Sequence, residues 1–204
     1  ACGAACAVVD RRTSIDAFEK YALLVVDDTT KAFGKLANVY RKRFQIPFIA
    51  VAGSNGKTTT KEMISTVLGT QYTVLCTQGN LNNHIGVQLT LLSIKPQTEF
   101  AIIEMGANHV GEIAMLCSIA EPDFGMITNI GKAHLEGFGG YDGVIKAKSE
   151  LYHFIQQKGG KLFVNADNKL LQQLSAEIDK VTFGTSESVD FEGQFVECNP
   201  FVKL

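Results

Sequence analysis

The chain has 204 residues, 46% of them hydrophobic and 20% charged, with a formal net charge of −2; these values describe an ordinary globular protein with apolar content for one medium core, and argue against general attraction to nucleic acid or an anionic membrane surface. No apolar run approaches the length of a membrane span, and no signal peptide is visible. The five cysteines, Cys2, Cys6, Cys76, Cys117 and Cys198, are odd in number and scattered, which points to a reducing, cytoplasmic compartment rather than a disulfide framework.

In chain order, Ala7 to Val9 and Ala22 to Val26 read as short strands separated by a polar segment carrying Arg11, Arg12 and Asp16. Cys2 and Cys6 lack a second pair at zinc-ligand spacing. The chain opens without methionine in what reads as a helix-to-strand transition, Ala1 to Asp10, so a fragment is expected. Asp28 and Thr29 can cap a helix whose apolar positions Phe33, Leu36, Ala37, Tyr40 and Phe44 recur at helical spacing, and Arg41 to Arg43 read as its solvated end. Pro47 closes that helix and places a domain boundary near Gln45.

The next stretch, PFIAVAGSNGKTTTKEMISTVLG from Pro47 to Gly69, has the form of a phosphate-binding loop. Phe48 to Ala52 is apolar throughout, as suits a central parallel strand covered on both faces. Gly53 and Gly56 let the backbone turn so that the amides of Gly53, Ser54, Asn55 and Gly56 can line an anion cradle at a helix N-terminus. Lys57 then supplies a mobile positive charge for the outer phosphates, and the Thr58 hydroxyl, followed by Thr59, can hold Mg²⁺. The following helix is expected to bury Met63, Ile64, Val67 and Leu68 and to stop at Gly69. The loop departs from GxxxxGK[ST], because Val51 stands where that pattern has its first glycine. A plain glycine turn with Lys57 on a solvated helix is the alternative; the order of strand, glycines, Lys-Thr and helix favours the phosphate loop.

Beyond it, strands at Tyr72–Cys76, Phe100–Ile103, Gly125–Ile130, Lys161–Asn165 and Val181–Phe183 alternate with helices. The helices are expected at Asn82–Ser93, with Ile85, Leu89 and Leu92 on one side, then at Glu112–Ala120, Gly143–Gln157 and Asp167–Ser175. Such alternation implies an α/β fold, a parallel sheet with helices on both faces and right-handed crossovers. Ligands of such sheets sit beyond the carboxyl ends of the strands, where this chain places Gly53 to Thr59, Glu104, Thr128 and Asn129.

Glu104 ends the apolar run FAIIEMG, where a carboxylate is poorly solvated unless a cation meets it; a Mg²⁺ shared with Thr58 and nucleotide phosphates would do so, and a bond to a nearby backbone N–H is the alternative. His134 lies in the glycine-rich loop ITNIGKAHLEGFG, either structural or close to metal and γ-phosphate. On the helix after Gly143, Lys146 points to the face opposite the apolar stripe of Val144, Leu151, Phe154 and Ile155, whereas Lys148 falls within that stripe. A lysine there must snorkel, pair or lose its charge, and a neutral lysine near a metal can take up CO₂ as a carbamate; on the residues alone, snorkelling is expected. Asn80, Asn82, Asn83 and His84 crowd a strand-to-helix turn in which one is the cap and the others can read a base or a substrate. Asp123-Phe124-Gly125 and Asn168-Lys169-Leu170-Leu171 imitate kinase and GTPase motifs without their context and are set aside.

With these residues in place the chain resembles the Mur ligase family, ATP-dependent amide-forming enzymes of peptidoglycan precursor synthesis. The family's GxNGKTT loop, which lacks the first glycine, is matched by Gly53 to Thr59. GNLNNHIGVQLTLL (Gly79 to Leu92), EMGANHVGEI (Glu104 to Ile113), ITNIGKAHLEGFG (Ile127 to Gly139) and IKAKSELY (Ile145 to Tyr152) are most similar to the branch that joins D-alanyl-D-alanine to UDP-N-acetylmuramoyl-tripeptide; Gln88, in place of an expected proline, is a small departure. The resemblance implies that residues 1–45 end an N-terminal, UDP-substrate-binding domain, that 46–204 are a central ATP-binding domain incomplete at its C-terminus, and that the C-terminal domain is absent, so that the fragment alone does not ligate. It implies ATP and Mg²⁺ as cofactors, Lys57 on the β/γ-phosphates, Thr58 and Glu104 on Mg²⁺, His134 on a second Mg²⁺, and Lys148 as a carbamylated lysine. The cradle, with Asn83, His84 and Asn129, would bind ATP. The substrate's carboxylate would attack the γ-phosphate to give an acyl phosphate, which the amine then converts to an amide; a monomeric cytoplasmic enzyme without membrane insertion is implied. Alternatives are another amino-acid ligase of the family or folylpolyglutamate synthase, a nucleotide-binding regulatory module without ligase activity, and a stand-alone NTPase.

Overall fold

A computed structural model of the chain describes residues 4–12, 22–132, 135–194, 197–198 and 202–203. The first elements are two parallel strands, β1 (Cys6–Asp10) and β2 (Ala22–Val26), which pair only with each other among the described residues. Helix α1 (Thr29–Arg41) follows; the Asp28 side chain caps it by accepting from the Lys31 N–H at 3.0 Å.

The main sheet holds seven parallel strands: β3 (Phe48–Ala52), β4 (Val74–Cys76), β5 (Phe100–Glu104), β6 (Phe124–Ile127), β7 (Lys161–Asn165), β8 (Lys180–Gly184) and β9 (Phe191–Glu192), in the order β4-β5-β3-β6-β7-β8-β9. Six helices are interspersed: α2 (Lys57–Leu68), α3 (His84–Leu92), α4 (Glu112–Ala120), α5 (Leu135–Phe138), α6 (Tyr141–Lys158) and α7 (Lys169–Leu174). An antiparallel pair, β10 (Glu197–Cys198) and β11 (Val202–Lys203), comes last. Among the described residues no helix is long and apolar enough to cross a membrane.

All five residues of β3 are buried, and the strand's period of two divides them between two cores. Phe48, Ala50 and Ala52 join the larger core, which takes in α1, α3, α4, α6 and α7; Ile49 and Val51 join the smaller one, covered by Ile64 and Leu68 of α2. The expected parallel sheet with helices on both faces is therefore present. After β3 the chain builds β4 and β5 on one side and then crosses to β6 on the other. The carboxyl ends of β5, β3 and β6 thus flank the point where the connections diverge, the usual place for a ligand.

Several expected faces differ. In α2, Met63 and Val67 are 61% and 69% exposed, while Lys61 is wholly buried. The helix lies on the sheet through Lys61, Ile64 and Leu68, positions three and four apart, which turns Met63 and Val67 outward. In α3, Ile85 and Leu89 do share a side, but it is exposed; Val87 and Leu91 enter the core instead. Leu36 of α1 is exposed, and Phe44 packs on the core from beyond the helix end. Arg41 is not a solvated end: only 9% exposed, it donates from Nε to the Ala120 carbonyl and from Nη2 to the Glu121 carbonyl, both at 2.7 Å. Its guanidinium also lies 3.9 Å from the centre of the Phe48 ring. With Asn38 donating to the Ile119 carbonyl (2.9 Å) and the Tyr40 hydroxyl to the Ile94 carbonyl (2.8 Å), α1 is fastened to the end of α4 and to the segment after α3.

Arg41→Met keeps much of the apolar stem while removing the donors for both carbonyls. It is expected to lower unfolding free energy by about 2–3 kcal/mol in urea titration; a loss below about 0.5 kcal/mol would show that α1 is held by packing alone.

Candidate functional site

The turn after β3 is built for a backbone that no side chain may obstruct. Gly53 has φ of 137°, and a Cβ there would stand 2.1 Å from the Thr128 hydroxyl oxygen. Gly56, at φ of 77°, is the N-cap of α2 and offers no side-chain cap, so the amide groups of the first turn remain for a ligand. The loop between is fastened to the end of β6. Asn129 Oδ1 accepts from the Asn55 N–H (3.1 Å) and its Nδ2 donates to the Asn55 carbonyl (2.9 Å), while the Thr128 hydroxyl donates to that same carbonyl at 2.6 Å. The Ser54 N–H donates to the Asn129 carbonyl at 2.9 Å, and the Ser54 hydroxyl accepts from the Gly131 N–H at 2.9 Å. The cradle is thus shaped before any phosphate arrives.

A cavity of about 340 Å³ opens beside it. Gly53, Ser54 and Lys57 form one wall, Asn82, Asn83 and His84 another, and Glu112, Phe138 and Lys148 the side across from them. Of the residues expected at the site, Gly53, Ser54, Lys57, Asn83, His84 and Lys148 line this cavity. Asn55, Gly56, Thr58 and Thr59 lie exposed at the loop and helix start, and the Asn129 amide is engaged behind the loop. Asn83 is the cap of α3, accepting from the N–H groups of Ile85 (3.1 Å) and Gly86 (2.9 Å). His134 lies outside the described residues.

Glu104 sits beneath the cavity floor, 1% exposed. Its Oε1 accepts from Asn82 Nδ2 at 2.7 Å, whereas Oε2 is buried without a hydrogen-bond partner. The alternative of a backbone N–H bonded to this carboxylate is not what the structure has; an asparagine amide takes that place on one oxygen and leaves the other free. Leaving a buried carboxylate oxygen unpaired is costly, and it suits a hard cation that takes oxygen ligands. Among the described residues no three His, Cys, Asp or Glu side chains form a metal cluster, so a cation received at Glu104 would draw its remaining ligands from hydroxyl, phosphate or water oxygens, a set that fits magnesium.

The cations of the site are half hidden. Lys57 Nζ donates to the Ser54 carbonyl at 3.1 Å; burial lowers its pKa and the neighbouring Glu104 carboxylate opposes that shift. Lys146 is exposed as expected, but Lys148 does not snorkel: it is 3% exposed. Its Nζ lies 3.5 Å from the Ala107 carbonyl oxygen and 5.4 Å from the centre of the Phe138 ring, on the wall of the cavity rather than at the outer surface. Burial first, then the positive charge of Lys57, lowers its pKa to about 8, while Glu112 and Glu150 pull the other way. Both carboxylates serve α4, Glu150 accepting from the Gly111 and Ala114 N–H groups (2.6 and 2.9 Å) and Glu112 from the Asn108 N–H (2.6 Å).

Sequence reasoning did not separate Asn82 from the other asparagines of its turn, and did not find Thr77, Glu112 or Phe138. Asn82 carried a weak signal, a polar residue two places before a helix start and on the same sheet end as Glu104. Phe138 carried none, because α5 is too short to show periodicity.

A family profile described as the Mur ligase middle domain matches residues 51–202. The chain is 43% identical over 178 residues to UDP-N-acetylmuramoyl-tripeptide--D-alanyl-D-alanine ligase of Bacillus subtilis, covering 87% of this chain and 38% of that protein. It is 44% identical over 166 residues to the enzyme of the same name from Escherichia coli, covering 81% of this chain and 36% of that protein. The structure is similar to the MurF ligase of Thermotoga maritima in complex with ADP, with a TM-score of 0.84 at 29% identity, over 96% of this chain and 45% of that one. It is also similar to MurF from Acinetobacter baumannii, with a TM-score of 0.79 at 38% identity, over 90% of this chain and 40% of that one. The chain therefore spans well under half the length of these relatives, and with the middle-domain match reaching from β3 almost to its last residue, it belongs to the Mur ligase family.

Proposed function

We propose that this chain is the nucleotide-binding part of an ATP- and Mg²⁺-dependent ligase that joins D-alanyl-D-alanine to UDP-N-acetylmuramoyl-tripeptide. The observation that carries the reading is the unpartnered Glu104 Oε2, buried at the end of the strand beside β3 and close enough to Lys57 for its charge to be felt there. The names of the Bacillus subtilis and Escherichia coli relatives supply the acceptor and the amine, and favour this branch over folylpolyglutamate synthase or a regulatory module.

In this reading the first-turn amides of α2 and Gly53 to Gly56 hold the ATP phosphates, and Lys57 leaves the Ser54 carbonyl to meet the β/γ-phosphates. Glu104 Oε2 and the Thr58 hydroxyl would hold Mg²⁺, which would supply charge neutralisation on the phosphate oxygens. The substrate's carboxylate oxygen attacks the γ-phosphorus, the bond to ADP breaks, and an acyl phosphate forms. Lys57 offsets the charge that develops on the transferring group. The amine nitrogen then attacks the acyl carbon and loses a proton, and phosphate leaves from the tetrahedral intermediate. Asn83 and His84, which line the same cavity as Lys57, contact the nucleotide; Asn129 serves it indirectly by holding Asn55. The family resemblance assigns His134, outside the described residues, to a second Mg²⁺ that it would help to hold.

Lys148 is carbamylated in the working enzyme. With a pKa of about 8, roughly a tenth of it is neutral at pH 7, far more than for an ordinary lysine. The neutral amine adds to CO₂ and releases a proton, so a buried cation becomes an anion and a further oxygen ligand. We place the domain division between β2 and α1 rather than near Gln45, because α1 is hydrogen-bonded into the layer of α3 and α4. A monomeric, cytoplasmic enzyme fits substrates that are ATP and a UDP-linked precursor.

In the intact protein, ADP release is expected to require the tripeptide carboxylate, and amide formation to prefer D-alanyl-D-alanine over single amino acids. Lys57→Ala should lower kcat by about 100-fold or more; ADP release indifferent to the tripeptide would contradict the ligase reading. For Lys148 the depressed pKa has a definite sign. The unfolded chain holds this proton up to the ordinary lysine range and the folded one only to about 8, so stability from this group rises as pH goes from about 8 towards about 10.5 and is lost as pH falls through 8. Competitive acylation at low CO₂ should show Lys148 half reactive near pH 8, and half-reaction above about pH 10 would contradict its burial as an isolated cation.

A further inference from the structure

Lys61 lies one turn beyond Lys57 on α2, on the side that meets the sheet, and is wholly buried. An apolar residue would be expected in that position, against Ile102 and Cys76 of the smaller core. Its ammonium instead donates to the Thr77 carbonyl, and to Glu62 Oε1 at 2.6 Å. Thr77, also wholly buried, follows the last residue of β4. Its N–H donates to the Ile102 carbonyl at 3.0 Å, and its hydroxyl oxygen accepts from the Glu104 N–H at 3.0 Å. One residue therefore joins the phosphate helix, the end of β4 and the strand end that carries Glu104.

We propose that Lys61 is a positioning residue that ties the phosphate helix to the Glu104 strand end through Thr77, and so fixes the distance between the phosphate cradle and the metal-binding carboxylate. The inference rests on the reading of Glu104 as a metal ligand. A cation without water is a poor choice for stability, since removing it from solvent costs more than burying a methionine of similar shape. What a methionine lacks is a donor, and a donor is what orients the Thr77 peptide so that its hydroxyl faces the Glu104 N–H. Asn82 holds the same residue from the other end through Oε1, so backbone and carboxylate are fixed separately and Oε2 is left without a protein partner. Phosphate and metal are thereby held in one frame.

The test uses the intact protein with Lys61→Met and Thr77→Val, both close to volume-conserving, and measures calorimetric binding of a non-hydrolysable ATP analogue over a Mg²⁺ series and without Mg²⁺. Thermal unfolding without ligand checks that each variant folds. The Mg²⁺ concentration for half-maximal enhancement should rise about tenfold or more in each variant, as expected when a partner of a metal ligand is removed. Mg²⁺-free binding should stay within about twofold, and the double variant should be little worse than either single one, since both break the same chain of contacts. If Thr77→Val fails to fold, Lys61→Met decides alone. An unchanged Mg²⁺ requirement in folded Lys61→Met, with wild type Mg²⁺-dependent, overturns the inference and leaves Glu104 in its role. Equal losses with and without Mg²⁺ overturn it as well, because Lys61 would then only shape the loop. Wild-type binding indifferent to Mg²⁺ would remove the Glu104 reading and this inference together.

Discussion

A carboxylate at the end of a buried parallel strand has no water to satisfy it, and the arrangement of this molecule follows from how Glu104 is treated. One oxygen is given an amide partner, Asn82, and the other is given none. Its main chain is held by Thr77, and Thr77 by the buried Lys61 of the phosphate helix. Lys57, on the same helix, feels the carboxylate strongly enough that its own loss of charge is opposed. Without a cation this corner of the core carries an uncompensated acceptor; with one bound there, every member of the group has a partner.

The phosphate loop is the second half of the same design. Two glycines admit the backbone path, and the Asn129 amide, with Thr128, sews the loop to the end of β6 from below. Because β5 and β6 flank β3, the loop, the carboxylate and the bracing asparagine all lie at the carboxyl ends of neighbouring strands. In the proposed role, nucleotide binding would need little rearrangement of main chain, the ordering cost being met during folding rather than at binding. Across the cavity Lys148 stands at the edge between cation and amine, held there by its burial and by the Lys57 charge.

Much of this was legible in the residues. The strands β3, β7 and β2 and the helix α4 stand where their apolar patterns place them, because runs such as FIAVA and EIAMLCSIA have unambiguous periods and clear boundaries. The phosphate loop announced itself by order and chemistry. What failed was the choice of face: α3 carries apolar residues on several sides, and in α2 the apolar Met63, Ile64, Val67 and Leu68 suggest one stripe while the buried side also takes in a lysine, Lys61. Arg41 was misread because a guanidinium looks solvated until two carbonyls, the Asp123 carboxylate and an aromatic face are seen around it. Contacts between residues far apart in the chain, such as Asn82 with Glu104 or Thr77 with Lys61, leave no periodic trace.

The central claim is that the free oxygen of Glu104 is where the nucleotide's metal is received. A crystal structure of the intact protein with a non-hydrolysable ATP analogue and Mg²⁺ tests it. The account predicts Mg²⁺ about 2.1 Å from Glu104 Oε2, with Oε1 still bonded to the Asn82 amide. Magnesium held by phosphates and water with Glu104 out of reach, or bound through Oε1 after displacement of Asn82, would contradict it.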